Sequence, residues 1–182
     1  LIREILALRS SSVVHERLGE AGIKYMEQAE LESLLMMQGA YGGGRRRGQR
    51  PAVIVVDTRE DDRAGGHISG SVHCPACEFS QHLPRLLRLV TAAASSSADA
   101  GVGSDSTAVT CVLHCMESIM RGPRCAIAFD AFLWHTARGV QPRICVLRGG
   151  FDSWCRKHRA RPELVAGFDD EYWGLAPDGW LR

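Results

Sequence analysis

The chain has 182 residues, 45% of them hydrophobic, which is enough apolar material for the core of one domain without help from metals or disulfides. Its formal charge is +1, with acids and bases nearly balanced, so no global field recruits nucleic acid or an anionic membrane surface, and any recognition of anions must be local. No run of about 18 apolar residues occurs, which argues against a membrane span.

Residues 1–22 carry Arg3, Arg9, Arg17 and the run Ser10–Ser12, as an organelle presequence would, but Glu4, Glu16 and Glu20 count against one. An accessory helix is expected there. Gln28 to Met37 (QAELESLLMM) places Leu31, Leu34 and Leu35 on one helical face. Tyr41 to Pro51 (YGGGRRRGQRP) has no apolar period and reads as a solvated loop insertion, with an acidic partner or RNA for Arg45–Arg47 as the lesser alternative.

Ala52 to Asp57 (AVIVVD) and Ala108 to Leu113 (AVTCVL) are continuous β-rich runs, as buried central strands require, and Arg143 to Leu147 (RICVL) is a third. Between the first two, residues 94–106 (ASSSADAGVGSDS) read as a second loop insertion. An amphipathic helix runs from Pro123 to about Arg138. Residues 162–182, with Phe168, Tyr172, Trp173 and Trp180, are expected to pack as an aromatic tail over a domain spanning 23–161. The alternation of helices and strands predicts an α/β, three-layer fold with a mainly parallel central sheet.

Seven cysteines is an odd number, and Cys111, Cys125 and Cys145 lie in apolar runs where a thiol behaves as a small hydrophobe. A reducing compartment is expected, cytoplasmic or nuclear, with the thiols free.

The chemistry concentrates in HCMESIMRGPR at 114–124. A loop that leaves a buried strand and enters a helix N-terminus turns successive backbone N–H groups inward, and the helix dipole adds positive potential there. Pro123 suits the first helical turn, where a missing N–H costs nothing. Arg121 supplies a planar fork for two oxygens of a tetrahedral anion. The same fields favour thiolate at Cys115, which makes it the candidate nucleophile. A buried strand-end cysteine with a chance arginine six residues later is the competing reading, and the placement between strand and helix argues against it.

On these residues the chain resembles the rhodanese-fold phosphatases and reductases: the M-phase inducer phosphatases and the small eukaryotic arsenate reductases. VIVVDTRE (53–60), GHISGSVH (66–73) and VLRGGFDSW (146–154) are similar to further signatures of the rhodanese superfamily, in the same order. The resemblance implies a rhodanese-like catalytic domain in which Cys115 is the catalytic cysteine and Arg121 the anion-binding arginine. Met116, Glu117, Ser118, Ile119 and Met120 would form the backbone cradle, with the Ser118 hydroxyl helping the thiolate leave. His114 would order the loop, and Asp57 with Arg59 would brace it, an ordinary surface ion pair being the alternative for those two. Five residues between Cys115 and Arg121, where sulfurtransferases of the fold usually have four, imply a tetrahedral oxyanion.

The pattern also departs from the family. Met116 stands where the M-phase inducer phosphatases usually have Glu; Glu117 comes one place later, and Asp61 and Asp62 are other candidates for a general acid. Thr58 replaces the cysteine often found between the Asp and Arg of the first signature, which removes that redox partner. Cys74-Pro-Ala-Cys77 offers a redox pair or, with His67 or His82, zinc ligands; free thiols are the favoured reading and no metal is assigned.

The function implied is thiolate-dependent oxyanion chemistry: an arsenate or antimonate reductase, a tyrosine or dual-specificity type phosphatase, or both. Substrates would be phosphate- or arsenate-type oxyanions or a phosphoprotein, with no bound cofactor and with glutathione or another thiol as external reductant. Met116, the compact chain and a stretch ARPEL (160–164) similar to one in the arsenate reductases tilt the reading toward reduction. The alternatives are a thiosulfate-type sulfurtransferase and a non-catalytic phospho-binding module.

Overall fold

The computed structural model describes residues 1–39, 52–98, 109–137, 139 and 141–174. Helices α1 (Ile2–Leu6) and α2 (Ser11–Glu20) precede strand β1 (Lys24–Met26) and helix α3 (Gln28–Gly39). Then come β2 (Ala52–Asp57), β3 (His67–Ile68), β4 (Val72–His73) and α4 (Phe79–Ala98). The chain continues through β5 (Val109–His114), α5 (Arg121–Thr136), β6 (Arg143–Leu147), α6 (Gly150–His158) and β7 (Val165–Ala166).

Five strands form the central sheet in the order β1-β6-β5-β2-β4, and every pairing in it is parallel. Parallel strands need crossovers, and the helices that supply them cover both faces. On one face α1, α2, α4 and α5 bury Ile5, Val14, Leu86 and Phe129 with Leu113 and Val146; on the other, Leu31, Phe151 and Trp154 meet Val55, Val112 and Leu147. Strand β5 sits in the middle with all six residues buried, and Cys115 follows its C-terminal end at the carboxyl edge of the sheet.

Three expectations need correction. Residues 1–22 form two helices instead of one, because the chain breaks after α1 and restarts with Ser10 in extended conformation at the N-cap of α2, a position serine favours. Arg124 of α5 secures that break by donating to the carbonyls of Leu6 at 3.0 Å and Leu8 at 2.8 Å. Residues 94–98 belong to α4 and not to a loop, since the Ala-rich run continues the helix and Ser95 returns its hydroxyl to the Thr91 carbonyl at 3.0 Å. Helix α5 begins at Arg121, two residues before Pro123, and ends at Thr136. Residues 41–51, most of 94–106, Ala108, Arg138 and Trp180 lie outside the described residues.

After α6 the chain adds β7 antiparallel to β3, with Ile68 opposite Val165. Trp154 Nε1 donates to the Leu164 carbonyl at 3.1 Å, and Trp173 Nε1 to that of Gly65 at 2.8 Å. Phe168 and Trp173 stack at 6.5 Å, and Trp173 lies 6.3 Å from the Phe151 ring. The aromatic residues at 168–173 thus pack over the segment that follows β2. Among the described residues, no helix is long and apolar enough to cross a membrane.

Candidate active site

Residues 115–120 turn between the end of β5 and the start of α5. Among the described residues, the amide N–H groups of Met116, Glu117, Ser118, Ile119 and Met120 have no hydrogen-bond acceptor. Consecutive unpaired donors at the N-terminus of a 16-residue helix form an arrangement able to cradle an anion. Ser118 makes the sharp bend possible with φ of 57°, a left-handed conformation that costs a non-glycine residue about 1–2 kcal/mol. Its Oγ is buried and has no partner among the described residues.

The loop's carbonyls are held from outside, which leaves its N–H groups free. Phe151 N–H donates to the Cys115 carbonyl at 2.9 Å and Asp152 N–H to that of Met116 at 2.9 Å. These two donors come from the first turn of α6, where they have no partner within the helix. The Tyr25 hydroxyl donates to the Ser118 carbonyl at 3.2 Å. On the other side, α5 approaches so closely that a Cβ on Gly122 would lie 3.2 Å from the Cys115 nitrogen.

Cys115 itself is 4% exposed. His114, fully buried, uses Nδ1 to reach the Cys115 carbonyl at 3.2 Å, and its Nε2 has no hydrogen-bond partner among the described residues. Burial pushes its imidazole down, which favours the neutral ring. Thr58 donates both its N–H and its hydroxyl to the His114 carbonyl, each at 2.8 Å.

Asp57 and Arg59 are not a surface ion pair: both are completely buried. Arg59 Nε reaches Asp57 Oδ1 at 3.0 Å and Nη2 reaches Oδ2 at 2.7 Å. Burial alone would raise the Asp57 carboxyl, yet the hydrogen bonds and charge of Arg59 hold it well below the usual carboxylate range. The guanidinium also lies 3.9 Å over the Phe151 ring and donates to the carbonyls of Asp62 at 3.1 Å and Gly66 at 2.7 Å. Arg59 therefore braces the segment 60–66 and Phe151, and reaches the cysteine loop only through them.

Arg121 opens α5 and meets a carboxylate. Its Nη1 donates to Asp62 Oδ1 at 2.8 Å and its Nη2 to Oδ2 at 2.5 Å, with Glu60 at 3.7 Å. Burial would raise the Asp62 carboxyl, but the Arg121 hydrogen bonds and the Glu60 N–H outweigh it and hold Asp62 below its ordinary value. Asp62 is thus a fixed carboxylate and not a proton donor here. Asp61 is exposed beside it, and Glu117 is exposed as well.

Cys74 is buried and Cys77 exposed, with Cys77 N–H donating to Glu60 at 3.1 Å. His73 Nε2 bonds the Arg59 carbonyl at 2.9 Å. A hollow lined by Glu20, Trp134, Pro142 and Ile144 lies at the other end of the strands, where α5 ends and β6 begins, remote from Cys115.

A central parallel sheet flanked by helices, with a cysteine loop closing onto a helix N-terminus, defines the rhodanese class of α/β domain. The model of the rhodanese-like domain matches residues 45–157, and the chain belongs to that family. It is 30% identical over 151 residues to the CDC25-like phosphatase YCH1 of Saccharomyces cerevisiae, covering 83% of this chain and 94% of that one. It is 34% identical over 106 residues to arsenate reductase 2.1 of Oryza sativa subsp. japonica, covering 57% of each. Among solved structures, Ygr203w, a yeast protein tyrosine phosphatase of the rhodanese family, superposes with a TM-score of 0.62 at 30% identity, covering 83% of this chain and 96% of that one.

Proposed function

We propose that the protein is a Cys-dependent enzyme of tetrahedral oxyanions, with Cys115 as nucleophile and Arg121 with the amides of 116–120 as the anion-binding groups. The observation that carries this reading is the set of unpaired loop amides between a buried cysteine and an arginine at a helix N-terminus. Relatives named as phosphatase and as arsenate reductase support the same anion class.

With a phosphate ester, the Cys115 sulfur bonds to phosphorus as the ester oxygen leaves, the amides and Arg121 stabilise the equatorial oxygens, and water then hydrolyses the thiophosphate. With arsenate, the sulfur bonds to arsenic and a hydroxyl leaves as water. An external thiol such as glutathione then attacks the Cys115 sulfur, two electrons pass to arsenic, and arsenite departs. A second thiol frees Cys115, so that two thiols end as one disulfide.

Glu117 is exposed and Asp62 is tied to Arg121, so neither is held as a general acid over the loop. That favours arsenate (or antimonate) and phosphate esters with good leaving groups over alkyl phosphates. The test is one purified protein assayed side by side on an aryl phosphate, on arsenate with glutathione, and on thiosulfate with cyanide. Turnover of either of the first two supports the reading. Fast thiosulfate turnover with a Cys115 persulfide, or phosphate binding with no turnover at all, replaces it by a sulfurtransferase or a binding module respectively.

A further inference from the structure

Arg121 does not stand free in its site. Asp62 occupies the end-on edge of the guanidinium, oxygen to nitrogen at both Nη1 and Nη2. Arg121 Nε, by contrast, has no acceptor among the described residues. A planar guanidinium has more than one two-donor edge, so it can hold a carboxylate on one edge while it offers Nε and the adjacent Nη to an oxyanion on another.

Asp62 is itself fixed by three further hydrogen bonds, on two of its atoms. Its Oδ1 accepts the Glu60 N–H at 3.0 Å. Its carbonyl accepts from Arg59 Nη1 at 3.1 Å and from the Tyr172 hydroxyl at 3.5 Å. Arg59 is anchored in turn by Asp57 and Phe151. A carboxylate held at both backbone and side chain is an anchor and not a swinging latch.

We infer that Asp62 is a positioning residue for Arg121: it locks the guanidinium end-on, turns the Nε edge toward the oxyanion in the loop, and acts only through Arg121. The inference rests on the oxyanion reading of the loop. It also gives the buried Asp57–Arg59 pair a purpose, since that pair fixes the peptide of Asp62 and hence the arginine.

The experiment is a double-mutant cycle on the full chain with Asp62→Asn, Arg121→Ala and both together. It reads KM and kcat for p-nitrophenyl phosphate, the Kd of inorganic phosphate by calorimetry, and thermal melting. Asn keeps the shape but presents one neutral acceptor, so Asp62→Asn should raise the phosphate Kd and KM about 10-fold with little change in melting, as loss of a charge-assisted two-point contact does. In the Arg121→Ala background the same change should add less than about twofold, because residues that act as one unit are non-additive. Asp62→Glu, which keeps the charge but moves the carboxylate by one methylene, should lose affinity in the same direction by less.

Three results overturn the inference: tighter phosphate binding in Asp62→Asn, which would make Asp62 a competitor for Arg121; an unchanged Kd; or losses that multiply in the double variant. Because phosphate binding is measured in all proteins, these outcomes are read even without turnover. Absence of turnover in the wild type would instead count against the proposed reaction.

Discussion

The Phe151 N–H meets the Cys115 carbonyl at 2.9 Å, which ties the second helix of the site to the residue that carries the thiol. Gly150 makes this approach possible: its φ is +59°, and a Cβ there would lie 2.3 Å from the Met116 carbonyl oxygen and 2.6 Å from that of Cys115. Gly150→Ala should therefore displace the loop carbonyls. It should cost at least about 2 kcal/mol, counting left-handed strain and lost contacts, and should reduce turnover. Chemical denaturation and steady-state rates check both; a variant as stable and as active as the wild type would mean that the α6 contact is dispensable.

Stability should fall as the pH drops below neutral. His114 is neutral when folded because burial pushes its imidazole down, whereas in the unfolded chain it titrates near about 6.5. Between its folded pKa and that value the unfolded chain holds the extra proton, so stability is present above the window and lost as pH falls through it. Melting temperatures from pH 7.5 to 5 should decline, and His114→Gln should decline less steeply. His67 and His158 are also pushed down by burial, so some slope remains in the variant.

Leaving-group dependence reads whether an acid protonates the leaving oxygen. With Glu117 in solvent and Asp62 bound to Arg121, aryl phosphates with acidic leaving groups should react well while alkyl phosphates lag. Glu117→Gln should leave that slope unchanged. A shallow wild-type slope that steepens in Glu117→Gln would restore Glu117 as general acid and shift the balance from reductase to phosphatase.

Arg121→Lys should cost on the order of 100-fold or more in kcat/KM, because an ammonium cannot pair with Asp62 and bind two oxyanion oxygens from one rigid plane. A loss under about threefold would show that the backbone amides hold the substrate alone.

The strand, loop and helix around Cys115 were legible in the sequence because each rests on short-range pattern: a β-rich run, five loop residues, then Arg-Gly-Pro at a helix start. The parallel sheet followed from alternation. What was not legible depends on contacts between distant residues. Asp62 and Arg121 are 59 positions apart, and Tyr25 and Ser118 are 93 apart. No periodicity marks either pair.

The Asp57-x-Arg59 spacing left open a surface pair or a buried one; only the fold, with Phe151 over the guanidinium, decides for burial. The double glycine of VLRGGFDSW stood in the sequence only as part of a signature; that Gly150 meets the carbonyls of Cys115 and Met116 is seen only in the fold. Residues 94–98, read as loop, are helical: serine hydroxyls in a helix can bond the preceding turn, so a Ser-rich composition alone does not mark a loop.

The most direct test of the central claim is Cys115→Ser, with turnover and phosphate binding measured on the same preparation. The hydroxyl is a far weaker nucleophile, while the loop amides and Arg121 are untouched. Turnover of both aryl phosphate and arsenate should therefore fall to background while calorimetry still detects phosphate binding. Retention of the wild-type rate by this variant would contradict the account.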